Sequence, residues 1–241
     1  MCLPSWPARV LTFQHPCQKN TQLTYLALGD SYTIGEGVPE NDRYSVQLVD
    51  ALNHSGKMSF SAPQIIAKTG WTVDELDAGI NSANTKSEGY DLVTLLIGVN
   101  NQYRGRPVED FEKEFELILN RAIIFARGET DHVVVLSVPD WGVTPFAVNR
   151  KSDQAKVAKE IDAYNSAQKA ICRMYGITFI DITKDYRAIG ARPEMVVEDQ
   201  LHPSGLVYQR WMEKLLSEVK KNQVLSLKKL RTFACLCKIS E

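Results

Sequence analysis

Five short apolar runs rich in β-forming residues alternate with segments of helical period, and few folds accept that order. The runs are Leu23–Leu28, Gln64–Ala67, Leu92–Ile97, His132–Val138 and Ile177–Ile180. Between the third and fourth, Val108, Phe111, Phe115, Ile118, Ala122 and Phe125 keep the i, i+3, i+4 spacing of one helix face. Glu109, Asp110 and Glu112 open that helix, Arg127 stands near its end and Gly128 just past it, as the helix dipole and a glycine cap favour. A second helix runs through Val157, Ile161, Tyr164, Ile171 and Met174 and closes at Gly176. A last one follows Pro203-Ser204 and carries Tyr208, Trp211, Leu215 and Val219. Thr72-Val73-Asp74-Glu75 is a capping box opening another, and Ser45–Asn53 forms one more. Strands alternating with helices indicate parallel βαβ units, hence an α/β fold whose sheet is covered on both faces. Such folds place their chemistry in loops beyond the carboxyl ends of the strands.

The chain has 241 residues, 44% of them hydrophobic, enough for one substantial core. Three regions are expected: an irregular segment over 1–20, one folded domain over 21–223, and a basic, Leu-rich tail over 224–241. That tail is either a short extra helix on the body or a disordered end. With 28 basic against 29 acidic side chains, no global pull toward nucleic acid or an anionic membrane follows. The five cysteines, at 2, 17, 172, 235 and 237, resemble neither a disulfide framework nor a metal site; Cys235 and Cys237 stand too close for a zinc pair. No metal and no cofactor is expected. No stretch approaches the ~20 apolar residues that span a bilayer. The N-terminus lacks a signal peptide's apolar core, so the chain as written is cytoplasmic. The alternative is a cell-envelope lipoprotein with a missing or altered leader, since Cys17-Gln18-Lys19-Asn20 resembles a mature lipoprotein start, although His15 and Pro16 do not fit a lipobox.

The first strand runs directly into Gly29-Asp30-Ser31-Tyr32. A serine at a strand-to-helix turn exposes its hydroxyl beside backbone N–H groups. An ordinary helix N-cap explains the same tetrapeptide, and on it alone is the better account. Among the four histidines, His202 stands apart, in the loop Glu198-Asp199-Gln200-Leu201-His202-Pro203 before the final helix. An acid three residues ahead of a histidine can fix its tautomer and stabilise the imidazolium formed during attack, yet Asp-x-x-His also arises by chance. The second strand ends at Lys68-Thr69-Gly70-Trp71 and the third at Gly98-Val99-Asn100-Asn101. A backbone N–H at Gly70 and the amide of Asn100 can donate to an oxyanion; simple turns account for both as well. Asp140 and Asp181, after the fourth and fifth strands, are rival partners for the histidine. Asp30 suits bracing of the serine turn.

Glycine-acid-serine after strand one, glycine after strand two, Gly-x-Asn after strand three and Asp-x-x-His before the last helix form an ordered set. From Thr24 to about Val219 the sequence closely resembles the GDSL/SGNH hydrolase family. The resemblance implies a three-layer α/β/α sandwich of flavodoxin-like type, with a five-stranded, mainly parallel sheet. It implies that Ser31 is the nucleophile, His202 the general base and then acid, and Asp199 its orienting carboxylate. The oxyanion hole would comprise the backbone N–H groups of Ser31 and Gly70 and the Asn100 side chain. Two departures stand out. Asn101 occupies a position where the family usually has Asp, and Tyr32 one where it has Leu.

A small-molecule ester is therefore the expected substrate: a small or single-chain acyl ester, as for a lysophospholipase or general esterase. Carbohydrate O-deacetylation uses the same machinery, and a pocket too shallow for an acyl chain would favour it. Trp141 and Phe146 are candidate walls for the acyl group, or parts of a self-packed loop. Asn101, Tyr103 and Arg104 stand near the oxyanion position, where Arg104 either holds a phosphate or carboxylate or pairs with a surface acid. An inactive binding module is the non-enzymatic alternative, and retention of Ser31, Asn100, Asp199 and His202 together argues against it. A nucleotide-binding flavodoxin-like protein is disfavoured because the first loop lacks a glycine-rich phosphate pattern. Oligomeric state does not follow from the sequence.

Overall fold

Continuous apolar strands without polar alternation need cover on both sides of a sheet, and the central strands have it. The computed structural model describes residues 22–56, 58–86 and 89–236, with side chains given through 221. Within it β1 (Tyr25–Gly29), β3 (Leu92–Leu96) and β4 (Val133–Leu136) are buried along their whole length. The edge strands β2 (Gln64–Ala67) and β5 (Thr178–Ile180) are partly exposed. All neighbours pair in parallel, in the order β2-β1-β3-β4-β5. Residues 1–21 and 237–241, with the expectations that fall on them, lie outside the described residues.

Alternation along β1 builds the three layers. Tyr25 and Ala27 join a core with α2 (Tyr44–His54) and α9 (Gly205–Leu236), through Tyr44, Leu48, Tyr208, Trp211 and Leu215. Leu26 and Leu28 point the other way, onto α3 (Val73–Ser82), α5 (Val108–Phe125) and part of α7 (Gln154–Tyr175). The fold is thus an α/β/α sandwich of the expected kind. Its α5 stripe falls where the periodicity puts it, with Phe111, Phe115, Ile118 and Ala122 buried.

Several elements depart from expectation. Met174, placed on the apolar face of α7, is 71% exposed, because the buried seam there passes through Gln168, Ile171 and Cys172 instead. The fourth strand begins after His132, which ends a 3₁₀ turn. The helix expected after the first strand is the single turn α1 (Ser31–Ile34), whereas the short helices α4 (Val99–Tyr103), α6 (Pro145–Asn149) and α8 (Thr183–Ile189) were not anticipated, being too short to display a helical stripe. The α9 backbone runs through Leu236, across most of the region expected to be a separate tail. No Gly or Pro interrupts Lys220–Leu236, and its Leu and Lys residues are good helix formers.

The chain's excursion from β1 to one neighbour and then, through β3, to the other side opens a crevice at their carboxyl ends, the usual ligand position in such sheets. There Gly29 pairs with Leu96. A Cβ on Gly29 would overlap the Leu96 carbonyl oxygen and the Thr33 hydroxyl, so glycine lets α1 fold directly against β3. Gly29→Ala should therefore cost about 1–3 kcal/mol through overpacking, measured by urea denaturation. An unaltered midpoint would mean that the α1 turn moves aside without cost.

Candidate active site

The turn after β1 is made by Asp30 rather than Ser31. Asp30 is the N-cap of α1, its Oδ1 accepting from Tyr32 N–H at 3.0 Å. Ser31 becomes the first helical residue, where backbone N–H groups have no intrahelical acceptor. The N-cap reading of the tetrapeptide therefore falls on Asp30, one residue before the serine. Ser31 is 4% exposed and lines a cavity of about 190 Å³ with Tyr32, Gly70, Asn100, Tyr103 and His202. Trp141, Phe146, Thr69, Val99 and Leu201 complete the wall.

His202 reaches this cavity from a tight turn. Gln200 adopts φ of 62°, folding the chain back so that Asp199 Oδ1 accepts from Leu201 N–H at 2.8 Å and His202 N–H at 2.9 Å. Oδ2 lies 2.5 Å from His202 Nδ1. With Nδ1 donating to the carboxylate, Nε2 is left as the free ring nitrogen. Burial raises the Asp199 carboxyl, but the donors from the His202 ring and from both backbone N–H groups outweigh it and hold the group below its ordinary value. The two rival acids are engaged elsewhere. Asp140 is buried against Arg187 Nε at 2.7 Å and Gly142 N–H at 2.9 Å, and Asp181 accepts from Lys184 N–H at 3.1 Å.

Gly70 stands at φ of +84°, which favours glycine, and nothing lies within 4 Å of where a Cβ would be. Asn100 Nδ2 donates to the Trp71 carbonyl at 2.9 Å, leaving the second amide hydrogen for another acceptor.

Two expected substrate contacts are corrected. Asn101 is fully buried and does not line the cavity; its Oδ1 accepts from Val73 N–H at 3.1 Å and its Nδ2 donates to Glu114 at 2.9 Å. Arg104 also lies outside the lining, bound to both oxygens of Glu75 at 3.0 Å and to the Gly70 carbonyl at 2.7 Å. It has taken the surface pairing rather than a ligand's phosphate. Tyr103, Trp141 and Phe146 do line the cavity. Trp141 is held by its Nε1 on Gln102 Oε1 at 2.8 Å, and its ring meets Tyr103 and Phe146 edge-on, at 5.2 and 6.3 Å. The loop is therefore self-packed and a cavity wall at once. Tyr32, Thr69, Val99 and Leu201 were not anticipated, although each is a chain neighbour of a residue that was.

A wider groove of about 660 Å³ opens between α7 and the β5–α8 turn, lined by Asp162, Lys169, Asp181 and Lys184 among others. It contains no histidine to activate its serines. Among the described residues no cluster of His, Cys, Asp or Glu could hold a metal ion, and no helix is long and apolar enough to cross a membrane.

Comparison with known proteins identifies the family and the fold. The profile of the GDSL-like lipase/acylhydrolase family matches residues 27–210. No curated protein matches the chain by sequence. Similar solved structures include a lipase/acylhydrolase from Enterococcus faecalis, 19% identical with a TM-score of 0.62, over 83% of this chain and 96% of that one. A lipolytic G-D-S-L family protein from Veillonella parvula is 18% identical with a TM-score of 0.61, over 80% and 96%. An acetylxylan esterase from Geobacillus stearothermophilus is 16% identical with a TM-score of 0.62, over 82% and 94%.

Behind the Ser31 turn, Asp30 is buried near Tyr32, Tyr44 and Tyr208, and burial pushes its carboxyl up to about 7 against the pull of the Tyr32 N–H. That lies above the ~3.9 of an unfolded aspartate, so the native state binds the extra proton between the two values. Stability should then fall as pH rises from about 4 to about 7. Asp30→Asn keeps an oxygen for the cap and removes the charge. The drop in melting temperature between about pH 5 and about pH 8 is expected to shrink in that variant; an identical drop would show that Asp30 ionises in the fold without penalty.

Proposed function

The chain belongs to the GDSL-like lipase/acylhydrolase family and is a carboxylic ester hydrolase; on that premise we propose that it cleaves short-acyl esters through an acyl-enzyme on Ser31. One observation carries this reading: Ser31, Gly70, Asn100 and His202 line one cavity, with Asp199 fixed 2.5 Å from His202 Nδ1.

In the proposed reaction Ser31 Oγ attacks the ester carbonyl carbon while its proton passes to His202 Nε2. Asp199 stabilises the resulting imidazolium without itself taking the proton. The carbonyl electron pair moves onto oxygen, where the N–H groups of Ser31 and Gly70 and the free Asn100 amide hydrogen accommodate it. Collapse of the tetrahedral species breaks the bond to the alcohol, which leaves with the His202 proton. Water, deprotonated by the same imidazole, then attacks the acyl-serine; the bond between the acyl carbon and Ser31 Oγ breaks, the acid is released, and the proton returns from His202 to Ser31 Oγ.

The cavity limits the acyl group. About 190 Å³, walled by Val99, Tyr103, Trp141, Phe146 and Leu201, falls below the ~300 Å³ at which drug-sized sites begin. Acetyl to butyryl groups suit it; a long lipid chain does not. Arg104, committed to Glu75 and Gly70, offers no hook for a lysophospholipid phosphate. The same small cavity supports a second reading, removal of acetyl groups from a carbohydrate whose sugar stays outside.

Ser31→Ala should lower turnover of p-nitrophenyl acetate on the order of 10⁵-fold or more while leaving the melting temperature unchanged. Residual activity near wild type would end the acyl-enzyme reading. With the native enzyme, kcat/KM is expected to fall at least about tenfold from butyrate to octanoate as the chain overfills the cavity. Parallel assays on acetylated xylo-oligosaccharides separate the two substrate readings.

A further inference from the structure

The oxyanion loop has an unusual means of support. Gly70 has open space where a side chain would be, so no packing from that side locates it. Instead, four consecutive residues each give one backbone group to a side chain. The Gly70 carbonyl accepts from Arg104 Nη2 at 2.7 Å, and the Trp71 carbonyl from Asn100 Nδ2 at 2.9 Å. Thr72 N–H donates to Glu75 Oε2 at 2.9 Å, and Val73 N–H to Asn101 Oδ1 at 3.1 Å. Three of these four side chains belong to α4 or the residue that ends it. The loop after β2 is thus tied, peptide by peptide, to the helix after β3.

We propose that Asn101 and Arg104 are positioning residues that hold the Gly70–Val73 loop in register with Asn100, so that backbone and side-chain donors converge on one oxygen. This rests on the oxyanion assignment above, and it gives Asn101 and Arg104 a role distinct from the donor role of Asn100. Arg104 is anchored for the task. Both its terminal nitrogens meet Glu75 at 3.0 Å, in a fork that leaves Nη2 aimed at the Gly70 carbonyl. Being 43% exposed, that ion pair adds little to stability, so its effect should appear in turnover rather than in melting.

Asn101 shows why this chain departs from the Asp usual in its family. Its position requires an acceptor toward Val73 N–H and, 2.9 Å away on the other side, a donor toward Glu114. An amide supplies both. An ionised carboxylate would face Glu114 with like charge in a fully buried setting. Glu114 is in turn fixed by Arg106 at 3.5 Å, and Arg106 by Asp74 at 2.6 Å. Asn101 and Glu114 therefore form a matched pair.

Steady-state kinetics on p-nitrophenyl acetate test this. Arg104→Met should lower kcat by about 10- to 100-fold with KM within about twofold and little change in melting temperature. Arg104→Lys, which keeps one donor for the Gly70 carbonyl, should recover part of the loss. Asn101→Asp should lower kcat similarly, and Glu114→Gln added in the same chain should restore it by returning a donor to the new carboxylate. A rise in KM at constant kcat, a loss matched by lowered melting, or failure of the Glu114→Gln rescue would overturn the proposal. Asn100→Ala separates it from its premise. If that variant loses turnover while Arg104→Met does not, the clamp fails and the oxyanion assignment stands. If Asn100→Ala is fully active, both fall.

Discussion

The register between β1 and β3 is the constraint on which the rest of this site depends. Gly29 opposite Leu96 sets the serine turn and α4 at the same height, on either side of the crevice where the sheet changes direction. Two residues beyond Gly29 comes Ser31; four beyond Leu96 comes Asn100. In a parallel sheet buried on both faces, slipping one position would reverse the facing of every core residue of the strand. Tyr25 and Ala27 would exchange sides with Leu26 and Leu28, exposing each core to side chains of the wrong size. Hydrophobic burial thus fixes Ser31 and Asn100 relative to each other, although neither contributes apolar surface.

The remaining groups are placed by hydrogen bonds rather than by burial. Asp199 closes its own turn with three acceptor contacts, two to backbone and one to imidazole. The Gly70 loop takes its position from α4 and Glu75. Such bonds contribute modestly to net stability, about 1 kcal/mol each, but they are directional, which apolar packing is not. A cavity with aromatic walls around such fixed polar groups is a workable division of labour: the walls exclude water and the bonds set angles.

How much of this the sequence discloses depends on how local each determinant is. The strands, the α5 stripe and the ordered positions of Ser31, Gly70, Asn100, Asp199 and His202 are readable because each rests on composition or spacing within a few residues. The short helices α4, α6 and α8 are not, since one or two turns cannot display a period. Asn101 and Arg104 were legible as neighbours of Asn100 but not as ties to the Gly70–Val73 loop. Their partners, Val73, Glu114, Glu75 and Gly70, lie between 13 and 34 residues away, and only the tertiary fold brings them together. For the same reason the serine turn and its N-cap were confounded, two functions sharing adjacent residues.

Tyr32, where the family usually has leucine, ties two otherwise independent pieces of the molecule. The residue is 2% exposed, and its ring centre lies 5.5 Å from that of His202 and 6.2 Å from that of Trp211 in α9. Asp199 and His202 sit three residues apart and carry their geometry with them, so the alignment that long-range structure must supply is that of Ser31 with the imidazole. Tyr32 is a spacer across that gap, braced from behind by the final helix. Repacking of α9 would therefore reach the chemistry as a change in separation between two rigid parts, with the histidine's tautomer untouched.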